Sequence, residues 1–307
     1  DQLKIFAAQT HVDNSFGNSF TFTENNILGT HVLLEGAKML KDQLKIFLHV
    51  STDEVYGEGK EGVDAKSHEG SILEPTNPYS ATKAGAEYLV KAYARSFGLP
   101  TIITRGNNVY GPHQFPEKVI PKFINQLQRG RKVTLHGSGA NTRNYLYVED
   151  VAAAFDLILH KGSPGEIFNV GGDNEVSNLD VARTLIRLIR GADTNVDDWI
   201  TLTPDRPFND LRYPLDHSRI IALGWRETVT WEDGLRRTIE WYSHYSGNWD
   251  DVESALVAHP RRGHTERELA GVAESKTPLP AAGGAGGAGD DEEDARGPSD
   301  AKRARKE

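Results

Sequence analysis

The sequence predicts an α/β fold built on a parallel sheet, and three observations carry that prediction. Short apolar runs alternate with helical patterns of ten or more residues, the spacing of strand–helix–strand units. The chain has 307 residues, 37% of them hydrophobic, which is enough for a core in one large or two modest domains. Beyond about residue 262 the composition changes so sharply that the fold must lie before it.

Residues 3–8 (LKIFAA) read as a first strand, followed by a helical pattern over about 20–40. Residues 45–50 (KIFLHV) form the next strand and run into S-T-D-E-V-Y-G. Proline has no amide to donate and is suited to the first position of a helix, so a helix starts after Asn77-Pro78. The run 100–104 is a third strand. A helix near 116–129, strands near 132–136 and 144–148, a helix from Glu149, a strand at 166–170 and a helix at 177–190 follow. The last ordered helix is placed at 231–245. The hexapeptide DQLKIF occurs at 1–6 and again at 42–47, too short a match to define a repeat. Residues 281–289 are only alanine and glycine, followed by D-D-E-E-D and K-R-A-R-K. Such a segment buries too little apolar surface to offset its ordering entropy, so 262–307 reads as a disordered tail. Its basic cluster is a solvated tail or a nuclear address, and the former reading is favoured.

The formal net charge of -9 argues against a nucleic-acid surface. No apolar run reaches the length of a membrane span and no signal-peptide pattern opens the chain, which makes a cytoplasmic location the default expectation. With no cysteine there is neither a disulfide framework nor a thiolate metal site, and no metal is expected.

The chemistry concentrates at Thr52, Asp53 and Glu54 and at Tyr79 and Lys83. Residues four apart on a helix share a face, so Tyr79 and Lys83 point the same way. Oxidising an alcohol requires a base for its proton while a hydride leaves the same carbon. A phenol with an ordinary pKa near ~10 needs a positive neighbour to serve, and Lys83 is placed to supply one. Thr52, at the end of the preceding strand, can fix the substrate oxygen. Taken alone, Y-x-x-x-K is more often a pair on an amphipathic surface, and adjacent carboxylates at a strand end are usually solvated loop charges.

Y-S-A-T-K after H-V-S-T-D-E-V-Y-G, with Ala81, Ala84, Gly85 and Ala86 alongside, resembles the extended short-chain dehydrogenases/reductases. The T-D-E triplet is similar to that of their nucleotide-sugar 4,6-dehydratases, the dTDP-glucose 4,6-dehydratase group in particular. The resemblance spans about residues 3–257. It implies a Rossmann-type sheet with a smaller C-terminal substrate-binding region: a dinucleotide-binding part at 1–112 and a mainly sugar-nucleotide-binding part at 113–261 with some interleaved Rossmann elements. It implies NAD as cofactor, dTDP-glucose or UDP-glucose as substrate, and a homodimer. In these roles Tyr79 is the base for the C4 hydroxyl, Glu54 the base for the C5 proton and Asp53 the acid for the departing C6 hydroxyl, with hydride returned to C6. Two carboxyls in opposite proton states let one site do both jobs.

A-A-Q-T-H-V-D at 7–13 matches the segment facing cofactor and sugar, which places Ala7 and Ala8 at the cofactor. Gln9 and Thr10 are closer to eukaryotic members. His11 is either a substrate contact or a structural histidine. R-G-N-N-V-Y-G-P at 105–112 and P-E-K-V-I-P at 116–121 resemble the loop and helix that receive the sugar nucleotide, with Asn108 and Lys118 as candidates. H-G-S-G-A-N-T-R-N-Y-L-Y-V-E-D at 136–150 supplies Arg143, either a diphosphate ligand or an ion pair with Glu149 or Asp150. D-R-P-F-N-D-L-R-Y-P-L-D at 205–216 supplies Arg206, and Asn209 stands where bacterial relatives carry histidine, which opens the sugar-nucleotide preference. Trp225, Trp231, Trp241 and Trp249 read as packing residues.

The glycine-rich strand–turn–helix expected to hold a dinucleotide pyrophosphate is not found near residue 1. Gly57, Gly59 and Gly62 lie after the catalytic strand, and Gly171-Gly172 reads as a turn. Relative to the family pattern the chain is expected to begin at the fourth strand, through an incomplete gene model, degeneration to a non-catalytic protein, or a partner supplying the rest. The rival readings are therefore another sugar-nucleotide epimerase or decarboxylase, and a non-catalytic homologue that binds sugar nucleotide.

Overall fold

The computed structural model describes residues 2–59, 66–205, 210–245 and 247–256. The tail expected at 262–307, together with Gly62, Arg206 and Asn209, lies outside the described residues.

The chain runs through β1 (Gln2–Ile5), α1 (Val12–Gly17), α2 (Ser19–Phe22), a π-helical turn (Thr23–Leu28), α3 (Gly29–Met39), β2 (Ile46–Thr52) and a 3₁₀ turn (Asp53–Tyr56). It continues as α4 (Pro78–Phe97), β3 (Thr101–Gly106), β4 (Asn108–Tyr110), α5 (Val119–Gln128), β5 (Val133–His136), β6 (Thr142–Tyr147) and α6 (Val148–Lys161). Then come β7 (Ile167–Val170), β8 (Glu175–Ser177), α7 (Asn178–Arg190), a 3₁₀ turn (Val196–Trp199), β9 (Ile200–Thr203), α8 (Ser218–Leu223), α9 (Trp231–His244) and α10 (Val252–Leu256).

The main sheet is parallel throughout, in the order β1-β2-β3-β7. Its strands are apolar on both faces because helices cover both. Phe47 and Ile103 point to one side, where they pack with Leu34 of α3 and Val90 of α4. Ile46, Leu48, Ile102 and Phe168 point to the other, against Val151, Ala154 and Ile158 of α6 and Ile220 of α8. This is the Rossmann-like arrangement, with ligand crevices expected beyond the carboxyl ends of the strands. The two DQLKIF copies run into neighbouring strands but do not pair in register, since Gln2 sits opposite Ile46 rather than Gln43.

A second core joins α5, α7 and α9 to β5 and β6 through Ile124, Leu127, Leu135, Tyr145, Leu185 and Leu235. Two small sheets accompany it, β4-β6-β8 and β5-β9. Trp225 is buried, Trp231 and Trp241 pack against this core, and Trp249 meets the ring of Phe115 edge-on.

Several boundaries differ from the sequence reading. The strand expected at 3–8 stops at Ile5, since the next residues turn toward α1. The helix expected over 20–40 is interrupted by the π turn, where Asn26 is buried and its amide bonds Gln9 and Thr82. R-G-N-N-V-Y is not a loop: Arg105 and Gly106 finish β3 and 108–110 form β4. Another helix, α10, follows the one expected to be last.

Candidate active site

Two local devices set the site. β2 ends at Thr52, whose hydroxyl accepts a hydrogen bond from the Glu54 amide at 3.3 Å and caps the 3₁₀ turn carrying both acids. α4 starts in a capping box: the Asn77 side chain accepts from the Ser80 amide at 2.9 Å and the Ser80 hydroxyl accepts from the Asn77 amide at 3.2 Å. With Pro78 next, the first turn is fixed in place and Tyr79 and Lys83 face inward on the same side.

These elements wall a cavity of about 640 Å³. Thr52, Glu54, Tyr79, His11, Asn108, Lys118 and Arg143 all line it, whereas Asp53, Lys83, Ala7 and Ala8 do not. Asp53 is 2% exposed and sits just behind the wall. One of its oxygens receives the Thr52 hydroxyl at 3.0 Å and the other receives the amide of Asn107 at 2.6 Å. Burial, with the Glu54 charge adding to it, pushes the Asp53 carboxyl up to about 7, against the pull of Asn107, Thr52 and Arg143. Near neutrality it therefore keeps its proton in about half of the molecules, where an ordinary aspartate has lost it. Glu54 accepts from the Asn77 amide at 3.1 Å.

Tyr79 and Lys83 depart from expectation in one respect. Burial first, and then the Glu54 and Asp53 charges, push the Tyr79 phenol above its ordinary value, while a hydrogen bond with Thr52 pulls it down. Lys83 has no resolved influence on the phenol. Its buried ammonium donates to the Val50 carbonyl at 2.6 Å, and desolvation lowers it to about 8 against the opposing pull of Glu87. Desolvation and two nearby carboxylates outweigh an ammonium engaged elsewhere.

The remaining candidates spread around the cavity. Arg143 donates to the carbonyls of Thr142 at 2.7 Å and Asp210 at 3.0 Å, and its guanidinium lies 4.8 Å from the Tyr213 ring centroid. Glu149 instead pairs with Arg237, and the Asp150 carboxylate receives Thr228 and the Val229 amide. Lys118, at the start of α5, donates to the Thr10 carbonyl at 2.7 Å and so links α5 to the segment after β1. Ala7 is exposed. Sequence reasoning missed the functional placement of Asn77 and Asn107. It also missed Asp210, a buried carboxylate that receives the hydroxyls of Thr76 at 2.8 Å and Tyr213 at 2.5 Å. The only sequence signal was their membership in motifs already noted.

Among the described residues no cluster of His, Asp or Glu is suited to hold a metal, and no helix is long and apolar enough to cross a membrane. A nicotinamide nucleotide is fitted in part. Ser51 lines the cavity at the carboxyl end of β2, and its buried hydroxyl has no hydrogen-bond partner among the described residues. Such a group suits a ribose hydroxyl or a carboxamide beside the apolar walls of Val50 and Val170.

The model of the family described as GDP-mannose 4,6 dehydratase matches residues 1–238. A trifunctional UDP-glucose 4,6-dehydratase/UDP-4-keto-6-deoxy-D-glucose 3,5-epimerase/UDP-4-keto-L-rhamnose-reductase of Arabidopsis thaliana is 57% identical over 261 residues, covering 85% of this chain and 38% of that protein. The chain thus spans less than half the length of that relative. The dTDP-D-glucose 4,6-dehydratase of Homo sapiens is 49% identical over 262 residues, covering 85% of this chain and 73% of that protein. A dTDP-glucose 4,6-dehydratase of Streptomyces venezuelae, solved with NAD bound, superposes with a TM-score of 0.77 at 39% identity, covering 82% of this chain and 76% of that one. The sequence, the sheet and the acid pair beside the tyrosine thus agree, and the chain belongs to the GDP-mannose 4,6-dehydratase family.

Proposed function

We propose that this chain carries the catalytic centre of an NAD-dependent nucleotide-sugar 4,6-dehydratase. It would act on UDP-glucose or dTDP-glucose to give the 4-keto-6-deoxy sugar nucleotide. The observation that carries the reading is the pair of neighbouring carboxyls in different surroundings: Asp53 buried and raised to about 7, Glu54 facing the cavity. Eliminating water needs one group that gives a proton and one that takes it. An epimerase acting at C4 has no leaving hydroxyl to protonate, so the pair favours dehydration.

Tyr79 and Thr52, which both line the cavity, are assigned to the C4 oxygen, with Tyr79 taking its proton as the C4 hydride departs. The C4 ketone so formed acidifies the C5 proton, which Glu54 takes. Asp53 gives its proton to the C6 hydroxyl, which leaves as water, and Glu54 returns its proton to C5 as hydride reaches C6. Lys83, Ser51 and Thr52 would hold the nicotinamide ribose, and Ala7 and Ala8, in the segment after β1, are assigned to the cofactor. When bound, NAD supplies the acceptor for the C4 hydride, its return to C6 with no net redox change, and a positive ring charge of the sign that lowers a phenol. Arg143, Asn108, Lys118, His11 and Arg206 are assigned to the sugar nucleotide, with Arg143, Arg206 and Asn108 on the diphosphate.

The same reading includes a homodimer and a cytoplasmic location. α3 leaves Val32 and Met39, seven residues apart and so on one side of the helix, exposed, an apolar stripe of the kind a second copy covers. The test is one set of measurements on the purified chain: mass by light scattering, NAD binding by calorimetry, and the 4-keto product from each sugar nucleotide, with cell fractionation for location. A dimer that binds NAD and forms product, with turnover reduced at least ~100-fold by Tyr79→Phe, is expected. A folded chain that binds sugar nucleotide but neither NAD nor forms product supports the non-catalytic reading.

A further inference from the structure

Asp53 is held from two sides, and the two holds are chemically unequal. The Thr52 hydroxyl, 3.0 Å from Oδ1, can either donate or accept. The Asn107 side chain offers Oδ2 an N–H at 2.6 Å. Its amide cannot be turned round without loss, because Asn107 Oδ1 accepts the Gly172 backbone N–H at 3.2 Å. Reversal would set that N–H against an NH₂ group and set a carbonyl against the carboxyl. The neighbouring backbone is shaped for this contact. A Cβ at Gly171 would stand 2.7 Å from Asn107 Oδ1, so the approach requires glycine there. Asn107 itself is 4% exposed and sits between β3 and β4, at the carboxyl end of the sheet.

We infer that Asn107 is a positioning residue that keeps Oδ2 of Asp53 as the carbonyl oxygen and confines the acidic proton to Oδ1, on the side of Thr52. The inference rests on the reading of Asp53 as the proton donor to the departing hydroxyl. An oxygen facing a fixed N–H donor cannot also direct its own proton there. The Thr52 hydroxyl can reverse to accept, and Thr52 and Asn107 both line the cavity, so the choice of oxygen sets the side from which the proton leaves. Asn107 thus determines which oxygen gives up the proton, and it also moderates the acidity, since its N–H favours the ionised form. The charged and titratable groups bearing on Asp53 are Glu54 beside it, which raises it, Arg143 from β6, which lowers it, and the Tyr79 phenol on α4, which feels its charge.

The test is pH-difference infrared spectroscopy of the full chain, which needs no turnover. The protonated-carbonyl band of Asp53 is assigned by its loss in Asp53→Asn. In Asn107→Ala the band should move to higher wavenumber, because its carbonyl loses a donor, and its midpoint should rise by about one pH unit. Gly171→Ala crowds the amide without removing it and should move both in the same direction, which covers the case of a poorly folded Asn107→Ala. A folded variant with band and midpoint unchanged overturns the inference, and a midpoint shift without a band shift overturns the placement of the proton. Where turnover is measurable, the alkaline limb of kcat should rise with the midpoint while kcat falls; a merely structural defect lowers kcat at every pH and leaves the limb in place. The infrared shifts without any 4-keto product would uphold the inference about Asn107 and refute the dehydratase reading.

Discussion

At the scale of single residues, the site consists of polar groups whose ordinary behaviour is altered by burial, and His49 shows the same physics outside it. His49 is fully buried on β2, neither ring nitrogen has a hydrogen-bond partner among the described residues, and desolvation and the nearby Lys83 charge push it well below its ordinary value. The folded chain holds it neutral while the unfolded chain protonates it below about pH 6.5. Stability from this group is therefore present above that pH and lost as pH falls, by at most about 2 kcal/mol at pH 5, the limit for a ring that stays neutral in the folded chain. His49→Leu should lose this acid sensitivity: its Tm difference between pH 8 and pH 5 should shrink, by up to roughly 4–8 °C. An unchanged difference would mean the ring finds a partner. Thr52, Asp53, Glu54, Tyr79 and Lys83 were legible because adjacency and a four-residue spacing are properties of the chain. Asn107 was not, because its contact with Asp53 crosses 54 positions and only folding brings the two together.

At the scale of elements, legibility followed length. β2, β3 and α4 are long, apolar or capped, and their sequence signals agree. β4, β8 and β9 are three or four residues each and carry no periodicity to detect, and α8 and α10 are one or two turns. α4 also shows one residue serving structure and site together. Asn77 caps the helix with its oxygen and holds Glu54 with its nitrogen, so reading it only as a helix start captured half its role. The two roles separate by substitution. Asn77→Ala removes both and should cost about 0.5–2 kcal/mol of stability, together with activity. Asn77→Ser keeps a good cap but is too short to reach Glu54, so it should unfold near the parent Tm while kcat drops roughly tenfold, the effect of a loosened base. Thermal melts alongside initial rates distinguish them, and equal loss of both properties in the serine variant would refute the division.

At the scale of the whole molecule, the site depends on an ion pair that no motif announces. Arg105 on β3 is 1% exposed and donates to Glu87 of α4, with Nη2 at 2.7 Å and Nε at 3.0 Å. Its Nη1 reaches the Tyr56 hydroxyl at 2.7 Å, and Tyr56 in turn donates to Asn169 of β7 at 2.8 Å. One guanidinium thereby joins the helix that carries Tyr79 and Lys83, the turn that carries Asp53 and Glu54, and two strands of the sheet. Glu87 is two turns beyond Tyr79 on the same buried face, so a shift of this helix would move the phenol relative to Thr52. Arg105→Met leaves Glu87 buried without its guanidinium and should destabilise by about 3–5 kcal/mol. Adding Glu87→Leu removes the stranded charge and should recover most of that loss. It also removes the group that raises Lys83, so the Lys83 amine should fall further below its present value of about 8. Urea unfolding of the single and double variants measures the first effect. If the double variant is no more stable than Arg105→Met, the hydrogen bonds to Tyr56 rather than the stranded carboxylate dominate, and the network holds the site through the turn instead of the helix.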